Sequence, residues 1–186
     1  MQFKEIRKVH EGNFITRYDI EYELADGNIK TYEMVSRRKD LKTESDVVDA
    51  PIDSVIMIVT DETGERILLS REFRMATGRA VYNFPAGLID PGESPTEAAA
   101  RELREETGLE LTSIKDVMHI SYGAMGFSNE KNVCIVGTAG GEFHESTSAE
   151  EEIQAGWYTR AEVRELLENE YFAARTQAYC YPWSRL

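Results

Sequence analysis

The sequence predicts an α+β sandwich preceded by a small antiparallel β-hairpin. Strand and helix patterns are mixed, without the regular alternation of a βαβ chain. Two short apolar runs, SVIMIVT (54–60) and VCIVGTAG (133–140), read as strands buried on both faces. Between them, GLIDPGESPTEAAARELREETGL (87–109) carries both helix start and helix stop signals.

Residues 14–24, FITRYDIEYEL, alternate. Phe14, Tyr18, Ile20, Tyr22 and Leu24 face one way, and Arg17, Asp19, Glu21 and Glu23 the other, as in a half-buried strand. Ala25-Asp26-Gly27-Asn28 is a turn signal, and IKTYEMVSRR returns as the second strand. The polar stretch RRKDLKTESD is expected as a connector. This divides the chain into an N-terminal β domain, residues 1–48, and a main domain, residues 49–186. After SVIMIVT, DETGE turns, and RILLSREFR (66–74) is the next strand. VYNFPAGL leads into the helix; DVMHISYGAMGFSNEKN is expected as strand and loop, GEFHESTSAEEE as a loop, and IQAGWYT as a strand. Thr159 and Glu162 have capping-box spacing for a helix through AEVRELLEN. The aromatic tail QAYCYPWSRL is assigned no element.

The 186 residues, 41% hydrophobic, suit one ordinary domain, alone or with a smaller one. A net charge of −13 argues against nucleic acid and anionic membranes as partners, because phosphate backbones need basic patches. An anionic substrate is compatible with that charge where a metal cation mediates. No apolar run is long enough to span a bilayer and MQFKEIRKVH has no signal-peptide pattern, so a cytoplasmic protein is expected. Cys134 and Cys180 match no metal spacing; free thiols or a single disulfide are the two readings. His10, His119 and His144 are scattered and suggest no zinc site. His119 and Trp157 are expected as packing residues.

In the central stretch Ser94 is a good N-cap, Pro95 suits the first helical position, and Glu97 completes a capping box. Gly108 suits the left-handed residue that ends a helix, giving a span of 95–107. Glu102, Glu105 and Glu106 fall within an arc of about 100°, with Ala98 on the same face one turn earlier. Ala99, Ala100 and Leu103 are expected on the other side, against a sheet. Like charges at this spacing cost about 0.2–0.5 kcal/mol per pair. One reading is a solvated acidic face relieved by Arg101. The other is a Mg²⁺ site, since Mg²⁺ takes one or two carboxylates plus waters and substrate phosphates.

The stretch resembles the Nudix box, G-x5-E-x7-R-E-U-x-E-E-x-G-U with U aliphatic. Gly87, Glu93, Arg101, Glu102, Leu103, Glu105, Glu106, Gly108 and Leu109 occupy every fixed position. The resemblance implies the Nudix α/β/α sandwich with a mixed sheet and hydrolysis of a nucleoside-linked diphosphate with Mg²⁺ or Mn²⁺. FPAGLIDPGES, preceded by REFR, is similar to the ADP-ribose pyrophosphatase branch. That likeness implies an N-terminal domain swapped or packed across a homodimer. It also implies a backbone carbonyl of Ala86 as metal ligand and Tyr32 stacking on adenine. Met125 in AMGFSNE departs from the branch, which commonly has Pro there; Gly126, Phe127, Ser128, Asn129 and Glu130 still match.

By this resemblance the metal ligands are Glu102, Glu106 and the Ala86 carbonyl, with Glu105 a ligand or an acceptor beside one. Arg101 orients a glutamate, and with Glu93 holds the loop–helix–loop in shape. Glu152 is the expected base of the acidic loop, with Glu150 and Glu151 as rivals and a solvated loop as the other reading. Arg71 and Arg74 are candidates for a phosphate or ribose hydroxyl, with Phe73 expected on the face opposite both. Arg37, Gly126 and Glu130 complete the expected substrate contacts. The implied activity is an ADP-sugar pyrophosphatase. A pyrophosphatase for another nucleotide sugar, such as GDP-mannose, and a non-catalytic nucleotide-sugar-binding module are the alternatives.

Overall fold

The computed structural model describes residues 1–144 and 152–186. Two compact units are present: Met1–Asp53 with Ile120–Asn132, and Ser54–His119 with Val133–Leu186.

In the first unit β1 (Gln2–Glu11), β2 (Thr16–Glu23) and β3 (Ile29–Ser36) form an antiparallel sheet in that order. The expected hairpin is β2–β3, and β1 adds a third strand. QFKEIRKVHE hid this strand because it is polar on both faces, and only Phe3 and Ile6 are half-buried. Tyr18 and Ile20 alternate into the core, as expected, and Thr16 joins them. Phe14 does not join them. It precedes β2, where the pleat no longer dictates its direction, and is exposed. Tyr18, Ile20, Met34 and Leu41 form the core, with Phe3, Ile6, Tyr22 and Val47 against it. The polar connector contains a short helix, α1 (Glu44–Val48), capped by Thr43 and Asp46.

The 120–132 segment belongs to this unit. Its β9 (Ser121–Tyr122) pairs with the first residues of β10 (Lys131–Gly140). The Val35 N–H donates to the Phe127 carbonyl at 2.8 Å. Buried Lys131 donates its ammonium to the carbonyls of Val48 (2.6 Å) and Ala50 (2.8 Å), at the end of α1, where a cation suits the last carbonyls.

In the second unit β4 (Ser54–Thr60), β5 (Arg66–Arg74), β8 (Glu110–Val117), β10 and β11 (Ile153–Thr159) lie in the order β11-β5-β4-β10-β8. Both apolar runs are buried along nearly their whole length. Their alternate residues therefore serve two layers. Ile56, Ile58, Ile67 and Leu69 pack with Tyr82, Phe84, Val163, Cys180 and Trp183. Val163 comes from α3 (Arg160–Asn169), and Cys180 and Trp183 from α4 (Ala174–Trp183). The helix α2 (Pro95–Thr107) packs on β4 and contributes no residue to that cluster, so it covers the opposite face. Each buried aliphatic side chain contributes about 1.5–3 kcal/mol. The chain is thus an α+β sandwich, as expected.

One local event positions the site. β4 and β5 pair at Thr60 and Ile67, then part. The space between them is filled by β6 (Arg79–Asn83), which pairs with β5, and β7 (Ala86–Leu88), which pairs with β4.

His119 is exposed, so it is not the packing residue expected; it sits in the β8–β9 connection, clear of either core. Trp157 is half-buried on β11 and meets Phe143 edge-on at 6.2 Å. Both cysteines are free thiols, and burial pushes that of Cys180 up to about 12.

The fully buried Tyr18 hydroxyl donates to the Arg38 carbonyl at 2.9 Å and accepts the Leu41 N–H at 3.3 Å. Tyr18→Phe leaves both backbone groups without that partner and is expected to cost about 1–3 kcal/mol. Native-state hydrogen exchange should show the loss in β2 and β3, with the amides of β4 and β5 unchanged.

Candidate active site

The central stretch folds as its signals require. α2 spans Pro95–Thr107, with the Ser94–Glu97 capping box and Gly108 left-handed at φ 83°. Gly108 is also a site of close approach. The His144 N–H donates to the Thr107 carbonyl at 3.1 Å, and a Cβ on Gly108 would stand 2.6 Å from the His144 ring.

The acidic stripe is not a solvated face. Glu106 is 9% exposed and the Glu102 side chain 16%, while the Glu105 side chain is 50% exposed. Ala98 is buried with Ala99 and Leu103, and Ala100 is only half-buried, so the buried stripe is turned toward Glu102 and Glu106 from the expected one. Gly87 explains the turn. A Cβ there would lie 1.9 Å from the Glu102 carboxyl carbon, so the carboxylate occupies the space of the missing side chain.

Ala86 faces the same place. Along a strand, successive carbonyls point to opposite edges. The Pro85 carbonyl accepts the Met57 N–H at 2.9 Å, which aims it at β4. The Ala86 carbonyl therefore turns away from β4. So does that of Leu88, two residues on, which accepts from Arg101 at 2.9 Å. The Ala86 oxygen thus lies on the edge of β7 at which Arg101 binds the Leu88 carbonyl.

Arg101 holds the arrangement with all five of its N–H donors. Nε and one terminal nitrogen take both Glu93 oxygens, at 3.0 and 2.9 Å. The other terminal nitrogen bonds Glu102 at 2.9 Å and Glu105 at 3.2 Å. The Leu88 carbonyl takes the fifth donor. Glu93 first, then Glu102, push the guanidinium pKa further up, so Arg101 keeps its proton and acts by placing its neighbours. The same hydrogen bonds hold Glu93 below the usual carboxylate range.

Glu152 is exposed, and its carbonyl accepts the Phe73 N–H at 3.4 Å just before β11, which puts it beside the end of β5. Glu150 and Glu151 lie outside the described residues. The expectation for Phe73 was wrong. β5 is regular against β6 from Ser70 to Arg74, so Arg71 and Phe73, two apart, share one face, and Arg74 shares the other with Glu72. Arg74 donates to Glu72 at 2.8 Å. In the first unit Tyr32 and Gly126 come together, the Tyr32 hydroxyl donating to the Gly126 carbonyl. Arg37 and Glu130 form an ion pair at 3.0 Å. Met125 stands at the second position of the Ala124–Phe127 turn, where Pro is favoured; the turn closes without it, the Phe127 N–H donating to Ala124 at 3.0 Å.

Sequence reasoning missed Glu72, Asn83 and Thr176. Asn83 donates to Glu72 at 3.0 Å and accepts from Thr176 at 2.8 Å, all three buried. No local signal could have found them, since Asn83 and Thr176 are 93 residues apart and only tertiary packing joins them.

The donors suit a hard divalent cation, being carboxylate and carbonyl oxygens around a cradle that a Cβ would fill. Among the described residues no three of His, Cys, Asp and Glu converge into a closed cage. An ion here would keep waters or substrate oxygens in its shell, which is the usual habit of Mg²⁺.

Because Glu93 is held low by Arg101, the clasp contributes its full stability above the unfolded carboxylate value of about 4.3. That contribution is lost as pH falls below it, through Glu93's own lower value. Thermal unfolding of wild type and Glu93→Gln should therefore differ at pH 6 to 8 and converge as the pH is lowered past 4.

Comparison with known proteins points to one family. The family model for the NUDIX domain matches residues 50–183. An ADP compounds hydrolase of Escherichia coli is 30% identical over 122 residues, covering 66% of this chain and 65% of that protein. An ADP-ribose pyrophosphatase of Mycobacterium tuberculosis is 35% identical over 113 residues, covering 59% of this chain and 54% of the relative. The chain thus matches less than two-thirds of the length of these relatives. A crystal structure of an ADP compounds hydrolase superposes with a TM-score of 0.74 at 22% identity, covering 100% of this chain and 93% of the other, and shares the fold. With the family model spanning most of its length and the box residues gathered at Gly87, the chain belongs to the Nudix family.

Proposed function

We propose that this chain hydrolyses the diphosphate of a nucleoside diphosphate linked to a sugar, splitting ADP-ribose into AMP and ribose 5-phosphate, with Mg²⁺ or Mn²⁺ as cofactor. The meeting of the Glu102 carboxylate and the β7 backbone at Gly87 carries the reading, because it aims hard oxygen donors at one place. The names of the relatives support the substrate class.

Glu102, Glu106 and the Ala86 carbonyl are assigned to hold the ion, with Glu105 beside them. When bound, the ion neutralises diphosphate oxygens and lowers the pKa of a water. Arg101, fully engaged, keeps Glu102 and Glu105 aimed. Glu152 is assigned to accept the proton of the attacking water. Arg74 and Arg71 are assigned to phosphate or ribose oxygens, and Tyr32, whose ring is 41% exposed, to stacking on the base. Arg37, Gly126 and Glu130 are assigned to the substrate as well. The working form is taken as a cytoplasmic homodimer; no described helix is long and apolar enough to cross a membrane.

AMP release from ADP-ribose in Mg²⁺ tests the reading. Wild type should turn over, Glu106→Gln should come close to losing activity, and Gly87→Ala should lose on the order of 10²-fold by displacing Glu102. A folded wild type that leaves ADP-ribose intact but cleaves GDP-mannose overturns the sugar-nucleotide choice. Tight ADP-ribose binding in Mg²⁺ with no turnover overturns the hydrolase in favour of a binding module.

A further inference from the structure

A buried polar chain runs from α4 to Arg74. Glu72 is 7% exposed, Asn83 3% and Thr176 0%. Its direction is fixed by chemistry. An ionised carboxylate only accepts, so Asn83 must offer its amide nitrogen to Glu72, at 3.0 Å. The Asn83 oxygen is then left needing a donor, and the Thr176 hydroxyl supplies one at 2.8 Å. With its single proton so used, Thr176 accepts the Phe84 N–H at 3.2 Å. The second Glu72 oxygen accepts from Arg74 at 2.8 Å.

The backbone holds Thr176 in place. The Tyr82 N–H donates to the Tyr171 carbonyl at 2.7 Å, and the Ala173 N–H to the Tyr82 carbonyl at 2.9 Å. These two bonds clamp the start of α4 onto β6, one turn before Thr176. Tyr82 and Phe172 stack beside them at 5.4 Å.

We propose that Thr176 is a positioning residue for substrate: acting through Asn83 and Glu72, it fixes the direction of the Arg74 guanidinium. The inference rests on the reading above that Arg74 contacts the substrate. Arg74 is part-exposed on a strand end and has a long, rotatable stem, so its aim depends on the carboxylate it holds. That carboxylate is held from its other side only while Asn83 keeps its amide turned toward it. Removing the Thr176 hydroxyl leaves the Asn83 oxygen and the Phe84 N–H without this partner. The amide is then free to turn, and Glu72 and Arg74 follow.

Two readouts test this on the full chain. The first is steady-state hydrolysis of ADP-ribose by wild type, Thr176→Val, Thr176→Ser and Arg74→Gln. Thr176→Val should raise KM roughly 10-fold with kcat nearly unchanged, as loss of a supporting partner does. Thr176→Ser should restore KM, and adding Thr176→Val to Arg74→Gln should raise KM no further. The second readout needs no turnover. Phenylglyoxal labelling of Arg74, followed by mass spectrometry, should speed up several-fold in Thr176→Val and return to the wild-type rate in Thr176→Ser. An unchanged labelling rate in Thr176→Val overturns the proposal, whatever the substrate proves to be. So does a lowered unfolding midpoint with KM unmoved where Arg74→Gln raises KM. If labelling responds but Arg74→Gln leaves KM unmoved, the relay stands and the assignment of Arg74 to substrate fails.

Discussion

The approach of the Glu102 carboxylate to Gly87 is the constraint from which the site follows. Any side chain at 87 would push the carboxylate out or lift α2 from β7. With only hydrogen there, the helix settles close enough to bury Glu106, to half-bury Glu102 and to bring Arg101 within reach of the Leu88 carbonyl. The crowding of Glu102 and Glu105 is then met from inside the protein. One guanidinium spans Glu93, Glu102 and Glu105, and its planar fork leaves little freedom in how they stand. A lysine, with three donors on one nitrogen, has no equivalent geometry.

That close approach depends in turn on the parting of β4 from β5. Had the two strands paired along their whole length, β6 and β7 would have no edge to occupy. Because they separate after Thr60 and Ile67, β7 lies along β4 and β6 along β5. The turn between them, Phe84-Pro85, is fixed at both ends. The Pro85 carbonyl is bound by Met57, and the Phe84 N–H by Thr176. Ala86 inherits its orientation from this pair of bonds, so the direction of its carbonyl is set by fold and not by its own side chain.

The parts of the fold that the sequence disclosed are those whose signal is local. The limits of α2 were legible because Ser94, Pro95, Glu97 and Gly108 each have a mechanism at a helix end. β4 and β10 were legible from apolar runs, and β2 from alternation. β1 was not, since an exposed strand needs no apolar face. α4 was not, since its N-cap is Ala173, with no side-chain hydrogen bond to announce it. Within the site, the box residues were readable because one helix gathers them. The Glu72–Asn83–Thr176 chain was unreadable, because Asn83 and Thr176 are 93 residues apart and only tertiary packing joins them. The misplaced Phe73 is a different case: the period of two was sufficient, and applying it to Arg71 puts both on one face.

The arginines show a common device. Arg101 has Glu93, Arg74 has Glu72 and Arg37 has Glu130, each within 3.0 Å. Partly exposed pairs of this kind contribute about 0–1 kcal/mol to stability, too little to account for three of them on that ground. Their effect is on direction. A free arginine carries about 2 kcal/mol of rotamer entropy, which a ligand must overcome to use it. A carboxylate partner removes much of that freedom in the fold itself, so that Arg101 places its neighbours and, in the proposed reading, Arg74 and Arg37 meet the ligand already aimed. The arrangement also fits the net charge of −13. A chain this acidic gives an anion no long-range attraction, so under the proposed reading its hold on a diphosphate is local. That reading assigns it to a bound cation and to arginines such as Arg74, whose position does not have to be found.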